Sequence, residues 1–206
     1  YYTNFYGVSN ITHPLENIER YKNQYNKQHR LLATGKGVVT LYDTKKFNRG
    51  DEYNHSLKFT TTFTEDLRMN NNTSFLDPHK TSWGRNQYGE ASDTRSTDLV
   101  TVWDNVLNYT TNMNGHNLDV MLGSSYTHSM WTQSYIAGSH FADGTIQTLN
   151  AANKIDPGST NTTASEWAIM SGFARVSYNY ESRYLISANM RADGSSKFLG
   201  ANRWGY

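Results

Sequence analysis

The chain has 206 residues, no cysteine and a formal net charge of +1. Disulfides and thiolate chemistry are excluded, and the near-neutral balance argues against a nucleic-acid surface driven by counterion release. Hydrophobic residues make up only 36%, and no run of 18 apolar residues occurs, so no transmembrane helix is expected. A membrane barrel escapes this objection, because half of each strand faces water and the outer loops are polar. Aromatic residues reach 14%, with 15 Tyr and 5 Trp. Interfacial girdles are one physical reason for such an excess, and stacking platforms for sugars are another.

Residues 1–52 are the least regular. Tyr1, Tyr2, Phe5 and Tyr6 form an aromatic cluster, and residues 10–14 read as a turn. Residues 15–28 are polar and fit a short helix or a solvated loop. Residues 29–42 carry strand formers with poor alternation, where Gly35 and Gly37 suggest a bulge or bend. The charged run at 43–52 reads as a loop.

From residue 53 a period-2 rhythm sets in. Residues 55–63 form a predicted strand with Leu57, Phe59, Thr61 and Phe63 on one face, 64–67 a tight turn, and 68–76 the returning strand. Residues 77–98 read as a polar loop. In the strand at 99–109, Asp104 sets the phase: its carboxylate belongs in a wet lumen, which sends Trp103, Leu107 and Tyr109 to the lipid side. Asn114-Gly115 is a hairpin signal. In the strand at 116–130, Leu118, Val120, Leu122, Ser124 and Tyr126 point outward, and Asn117, Asp119, Met121 and Ser125 inward. Residues 131–168 read as a long loop containing Trp131, Tyr135, Phe141 and Trp167.

The clearest pattern lies at 173–191. Ala174, Val176, Tyr178 and Tyr180 share one face, and Arg175, Ser177 and Asn179 the other. After a turn at Glu181-Ser182, Tyr184, Ile186, Ala188 and Met190 oppose Arg183, Ser187, Asn189 and Arg191, with Leu185 the apolar exception. Short turns at 64–67, 112–116 and 181–182 alternate with long connections at 77–98, 131–168 and from 192 onward. Short turns on one side and long loops on the other are the outer-membrane barrel pattern. About ten residues at about 3.3 Å, tilted by about 45°, span roughly 24 Å, which matches the apolar band of that membrane. The expected fold is all-β, a transmembrane antiparallel β-barrel. The chain starts without Met or a leader and stops mid-pattern, so further barrel residues are expected beyond both ends.

Arg175, Tyr178, Tyr180, Arg183, Tyr184, Leu185, Arg191, Asp193, Gly194, Ser195, Ser196 and Phe198, followed by Arg203, Trp204, Gly205 and Tyr206, closely resemble a signature of SusC/RagA-type TonB-linked outer-membrane proteins of the Bacteroidetes. Residues 103–123 resemble the family's barrel less specifically, and residues 1–50 only weakly. The resemblance implies a piece of a plugged barrel of about 22 strands, a SusD-like lipoprotein lid, and TonB-driven import of oligosaccharides or peptides across the outer membrane. It makes all of 1–206 part of one barrel domain, strand hairpins occupying 53–206. The TonB box, the plug and the family's N-terminal domain have no counterpart in these residues. The lipid bilayer and TonB are expected partners, and nucleic acid is not.

Candidate lumen- or plug-facing residues are Asp104, Asn108, Asn117, Asp119, Arg175, Asn179, Asn189 and Arg191. Candidate contacts with substrate or a lid protein are Trp131, Tyr135, Phe141 and Trp167, aromatic side chains that stack on sugars or pack against a partner. Arg183, Asp193, Gly194, Arg203 and Trp204 read as structural. Arg191 and Asp193 can pair at a strand end, and Gly194 permits the positive φ of a tight loop start. The carboxylates Glu90, Asp143, Asp156 and Glu166 show no spacing that selects an acid/base pair, so no catalytic residue is expected. The seven histidines lack metal-ligand spacing, so neither a metal nor another cofactor is expected. Two other readings stand beside the importer: a docking subunit of an outer-membrane complex whose transport is secondary or lost, and a soluble carbohydrate-binding β-domain.

Overall fold

The structure is a computed structural model that describes residues 14–44 and 54–206. The cluster at Tyr1, Tyr2, Phe5 and Tyr6, the turn before Pro14 and most of the 43–52 run lie outside the described residues. Helix α1 (Pro14–Tyr21) leads into strand β1 (Gln24–Asp43), then β2 (Asn54–Leu76), helix α2 (Ser82–Gln87), β3 (Glu90–Met113), β4 (His116–Phe141), the short β5 (Ala152–Ile155), β6 (Asn161–Tyr180), β7 (Tyr184–Ser195) and β8 (Trp204–Gly205). The eight strands among the described residues belong to one sheet in the order β1-β2-β3-β4-β6-β7-β8, with β5 added to β4. β4 with β5, β6 with β7 and β7 with β8 pair antiparallel. No helix among the described residues is long and apolar enough to cross a membrane.

The strands are about twice as long as the alternation suggests. β2 has 23 residues, β3 24 and β4 26, whereas a bilayer needs about 9–11. Three expectations change. The 64–67 turn does not exist, because β2 runs through it. Thr64 Oγ1 lies 3.1 Å from Thr34 Oγ1, and Glu65 accepts a hydrogen bond from Thr101 Oγ1 at 3.0 Å. Those side chains pair across strands, and no residue there adopts the left-handed backbone that would favour a tight reversal. Much of the 77–98 and 131–168 loops is strand, as parts of β3, β4 and β6. The irregular region before residue 52 contains the 20-residue β1.

The chain divides into two compact units. The first holds the described residues up to Arg30 together with Arg68–Asp98 and Trp131–Ser165. Its strands have polar contacts where a sandwich strand has apolar ones: Ser74 with Ser92 at 2.7 Å, Asn70 with Ser96 at 3.3 Å, and Arg68 with Asp98 at 3.9 Å. Its small core is Phe75, Ala91 and Phe141, covered by Leu149, Ala151 and Ala152. The connection after β2 is built on Asp77, which accepts from the backbone N–H of His79 and Lys80 at 2.9 and 3.2 Å. Thr81 caps α2 by accepting from Gly84 N–H. The buried Glu16 of α1 accepts from Ser82 at the start of α2.

The second unit holds Leu31–Leu67, Leu99–Met130 and Glu166–Tyr206. It contains the two shortest turns. Asn114 and Gly115 have φ 47° and 81°, the two positive values that a type I′ hairpin requires. Glu181 and Ser182 have φ 47° and 59° with neither Asn nor Gly to suit them. Arg183 N–H closes this turn on Tyr180 O at 2.9 Å, and Ser182 N–H donates to Asn179 Oδ1 at 2.9 Å. Left-handed backbone costs a non-glycine residue about 1–2 kcal/mol. Ser182→Gly is therefore expected to raise stability by about 1 kcal/mol, read as a later urea midpoint in detergent.

The 142–160 connection carries two further local turns. Thr145 N–H donates to Asp143 at 2.7 Å and Gly158 N–H donates to Asp156 at 3.1 Å. The bond from Thr145 holds Asp143 below the usual carboxylate range, and the Ser159 side chain followed by Gly158 N–H does the same for Asp156. A depressed folded-state pKa means stabilisation that is present above the ordinary Asp value of about 3.9 and is lost as pH falls through the folded value. Pepsin cleavage between 142 and 160, normalised to an unstructured peptide, is expected to accelerate as pH drops through that window. The Asp143→Asn, Asp156→Asn double variant should show a flatter profile.

Candidate functional site: the polar sheet face

Register sorts the second unit into two faces. In the β6–β7 pair, Ser171, Phe173, Arg175, Ser177 and Asn179 stand opposite Asp193, Arg191, Asn189, Ser187 and Leu185. The alternate set pairs Ala174 with Met190, Val176 with Ala188, Tyr178 with Ile186 and Tyr180 with Tyr184. Directly paired residues project to one side, so one face is polar and the other apolar and aromatic.

Cross-strand contacts extend the polar face to β3 and β4. Asn108 Nδ2 donates to both carboxylate oxygens of Asp119 at 3.4 Å, and Arg175 Nη2 reaches Asp119 Oδ1 at 3.4 Å. Asp119 thus links β3, β4 and β6. Asn112 donates to Asn117, and Ser125 Oγ to Asp104. Arg191 Nε lies 2.9 Å from both Asp193 oxygens, and its Nη2 donates to Ser171 Oγ at 3.2 Å. Among the described residues no group of three His, Asp or Glu side chains is placed to hold a metal.

This face borders a cavity of about 650 Å³. Ser56, Lys58, Asn112, Asn117, Asp119, Ser177, Asn179 and Ser187 are among its lining residues. Leu185, the apolar exception on its strand, lines it too. A smaller recess lies against Met121, Phe173, Arg175, Asn189 and Arg191.

The eight residues read as lumen- or plug-facing therefore share one face. Asn117, Asp119 and Asn179 border the cavity; Asn179 also receives the 181–183 turn. Asn189 pairs in register with Arg175 beside the recess. The four aromatic residues expected in an outer loop all lie in strands. Phe141 is buried, edge-on to Phe75 at 5.1 Å, and so is withdrawn from any ligand. Trp131 and Tyr135 are half-buried along β4, and Trp167 on β6 sits 5.5 Å under Lys197 Nζ.

The structural motif also differs in detail. Gly194 lies in β7, not at a loop start, and has no positive φ. It is glycine because the Trp204 indole covers it: a Cβ would meet the ring at 3.1 Å. Arg203 Nε donates to Phe198 O at 3.4 Å, and Arg183 lies 3.6 Å from Glu181 in an exposed pair.

Sequence reasoning missed Gly123. The Phe173 ring lies over it, and a Cβ there would fall 2.1 Å from Cε2. The Arg191 guanidinium sits 5.9 Å from the centre of the same ring. Gly123, Phe173, Arg191 and Asp193 thus form one stack across β4, β6 and β7. A glycine inside a well-alternating strand was the available signal.

The fold and its two faces define a wall of a transmembrane antiparallel β-barrel. No family model matches the chain. It is 36% identical over 104 residues to TonB-dependent receptor P39 of Formosa agariphila, covering 50% of this chain and 10% of that protein. It is 27% identical over 141 residues to TonB-dependent receptor SusC of Bacteroides thetaiotaomicron, covering 65% and 13%. The fold matches a RagAB peptide importer in its open-open state with a TM-score of 0.75 and 18% identity, over 99% of this chain and 21% of that one. A RagAB peptide transporter matches at 0.69 and 17%, over 99% and 22%. The chain is thus similar in sequence to TonB-dependent receptors of the SusC type and in fold to RagAB. It spans 10% to 15% of the length of the curated relatives it matches.

Gly123→Ala is expected to destabilise the full receptor by about 1–3 kcal/mol, the usual range for overpacking. Adding Phe173→Leu should recover part of the loss. Unfolding in detergent reads both, and equal loss in the single and double variants would separate Gly123 from the ring.

Proposed function

We propose that this stretch forms part of the barrel wall of an outer-membrane TonB-dependent importer of oligosaccharides or peptides, acting with a SusD-like surface lipoprotein. Residues 1–206 belong to one barrel domain, and the sheet's outer strands, β1 at one end and β8 beside β7 at the other, take further strands in the whole receptor. The polar face lines the conduit and holds the plug; it performs no bond-making chemistry. The observation that carries this reading is the segregation of faces in the second unit. Asp104, Asn108, Asn117, Asp119, Arg175, Asn189 and Arg191 stand on one side, with Trp103, Leu122, Ile186 and Met190 exposed on the other. The relatives named as TonB-dependent receptors and the RagAB fold support it further.

The charge pattern narrows the cargo. Lys58, Arg175 and Arg191 share the polar face with Asp104, Asp119 and Asp193, and Arg175 and Arg191 pair directly with Asp119 and Asp193. A wall with balanced charges sets up little net field. It suits uncharged glycans or zwitterionic peptides rather than polyanions.

Asp119→Arg in the full receptor breaks the three-strand link and places two cations together. Import of a fluorescently labelled neutral oligosaccharide or peptide that the wild type takes up should fall about tenfold at unchanged surface level, and the swap Asp119→Arg, Arg175→Asp should restore it. Unchanged uptake in the single variant would remove this face from the conduit. Uptake that is already independent of TonB would favour the docking-subunit reading.

A further inference from the structure

The apolar face carries two histidines, and each is treated in the same way. His55 on β2 places Nδ1 2.8 Å from the Tyr109 hydroxyl on β3, with the rings stacked at 6.2 Å and 18°. His116 on β4 places Nδ1 2.6 Å from the Tyr178 hydroxyl on β6. The His116 ring also lies 4.5 Å from Tyr180, which stacks on Tyr184 at 6.4 Å. The two pairs join different strands, so the arrangement arises twice independently.

Their level on the sheet can be counted. Polar pairs recur on this face further along the strands: Glu65 with Thr101 at 3.0 Å, and His128 Nε2 with Glu166 at 2.7 Å. From Tyr109 back to Thr101, His55 to Glu65, His116 to His128 and Tyr178 back to Glu166 the steps are 8, 10, 12 and 12 residues. At about 3.3 Å per residue and a tilt of about 45°, these steps span roughly 19–28 Å, the height of a barrel's apolar band. The His–Tyr pairs therefore mark one boundary of that band, beside the shortest turns.

An imidazole on a lipid-facing surface is costly unless its polar atoms are satisfied. In the tautomer where the tyrosine hydroxyl donates to Nδ1, that nitrogen is satisfied and the ring proton sits on Nε2. Nε2 of both histidines has no hydrogen-bond partner among the described residues. Each pair thus presents one oriented N–H donor at the depth where bilayer phosphates lie, next to rings suited to the interface.

We propose that the His55–Tyr109 and His116–Tyr178 pairs are phospholipid headgroup sites, in which each Nε2–H donates to a lipid phosphate oxygen while Tyr180 and Tyr184 pack on the glycerol and upper acyl region. The occupant is a bilayer phospholipid because the pairs continue the apolar, membrane-facing surface. The inference rests on that surface facing lipid and is independent of transport.

The test uses the full receptor, delipidated in detergent and titrated with phosphatidylethanolamine under native mass spectrometry. The wild type should retain two tightly held phospholipids that the His55→Phe, His116→Phe variant binds about tenfold more weakly, the loss expected for one hydrogen bond to a charged acceptor. Tyr109→Phe, Tyr178→Phe keeps every ring and frees Nδ1; it should weaken retention as well, and it provides the reading if the histidine variant does not assemble. Equal retention in all three proteins overturns the proposal. So does equal retention of diacylglycerol, which lacks the phosphate. A change of oligomeric state without a change in lipid retention assigns the surface to a second copy instead. Val120→Cys, in the middle of the band, separates the two failures. If a water-soluble maleimide labels it in nanodiscs, the membrane-facing assignment is wrong; if it is protected while lipid retention is unchanged, only the headgroup site is wrong.

Discussion

A strand in lipid has no water to complete its backbone N–H and C=O groups, so every such group must pair with a neighbouring strand. The rest of this molecule follows from that constraint. Pairing forces a pleat, the pleat sends alternate residues to opposite sides, and the two sides of the second unit meet different media. Several polar side chains on the apolar face are paired in the same way, while the buried Thr111 Oγ1 has no partner among the described residues. Thr61 Oγ1 donates to Asn105 Oδ1 at 2.8 Å and accepts from Trp103 Nε1 at 3.0 Å, which satisfies three polar groups in one cluster. His55, His116 and His128 each have a partner on the adjacent strand.

That rule also explains what the sequence revealed and what it hid. Hydrophobic alternation is strong where the two faces differ in medium, as in 116–126 and 173–190, and there the face of each residue could be read directly. Asp104 settled the phase of β3 for the same reason. Where both faces of a strand carry polar side chains, strand no longer requires alternation. Residues 90–98 and 131–141 continue as strand through backbone pairing and contacts such as Ser74–Ser92, which leave no periodic signal. The misplaced turn at 64–67 has a related cause. Glu65 and Asp66 break the apolar pattern and so imitate a turn, although β2 runs straight through them and Glu65 pairs with Thr101 on the next strand.

The polar face was legible as a set, because register places residues two apart on one side. Its connections were not. That Asp119 joins Asn108 and Arg175 depends on the stagger of β3, β4 and β6, which no local pattern encodes. Gly123 beneath Phe173 is a case of the same kind: fifty residues of sequence separate two groups in contact. Phe141 failed as an exposed aromatic because a large apolar ring near a strand end serves a small core as readily as a ligand.

The ion pairs of the polar face are better understood through plasticity than through stability. Arg175 and Asp119 retain 47% and 33% side-chain exposure, and Arg191 and Asp193 58% and 45%. Pairs exposed to this degree contribute about 0–1 kcal/mol. Their loss would scarcely unfold a sheet held by ladders of more than 20 residues, so they are ill suited to a role as staples. A weak pair is readily exchanged for a contact with another surface, since little is lost when it opens. The Phe173–Gly123 stack behaves oppositely: close apolar packing is directional and resists displacement. The face thus combines a fixed apolar stack with exchangeable ionic groups around it, an arrangement that lets a wall hold its shape while its polar partners change.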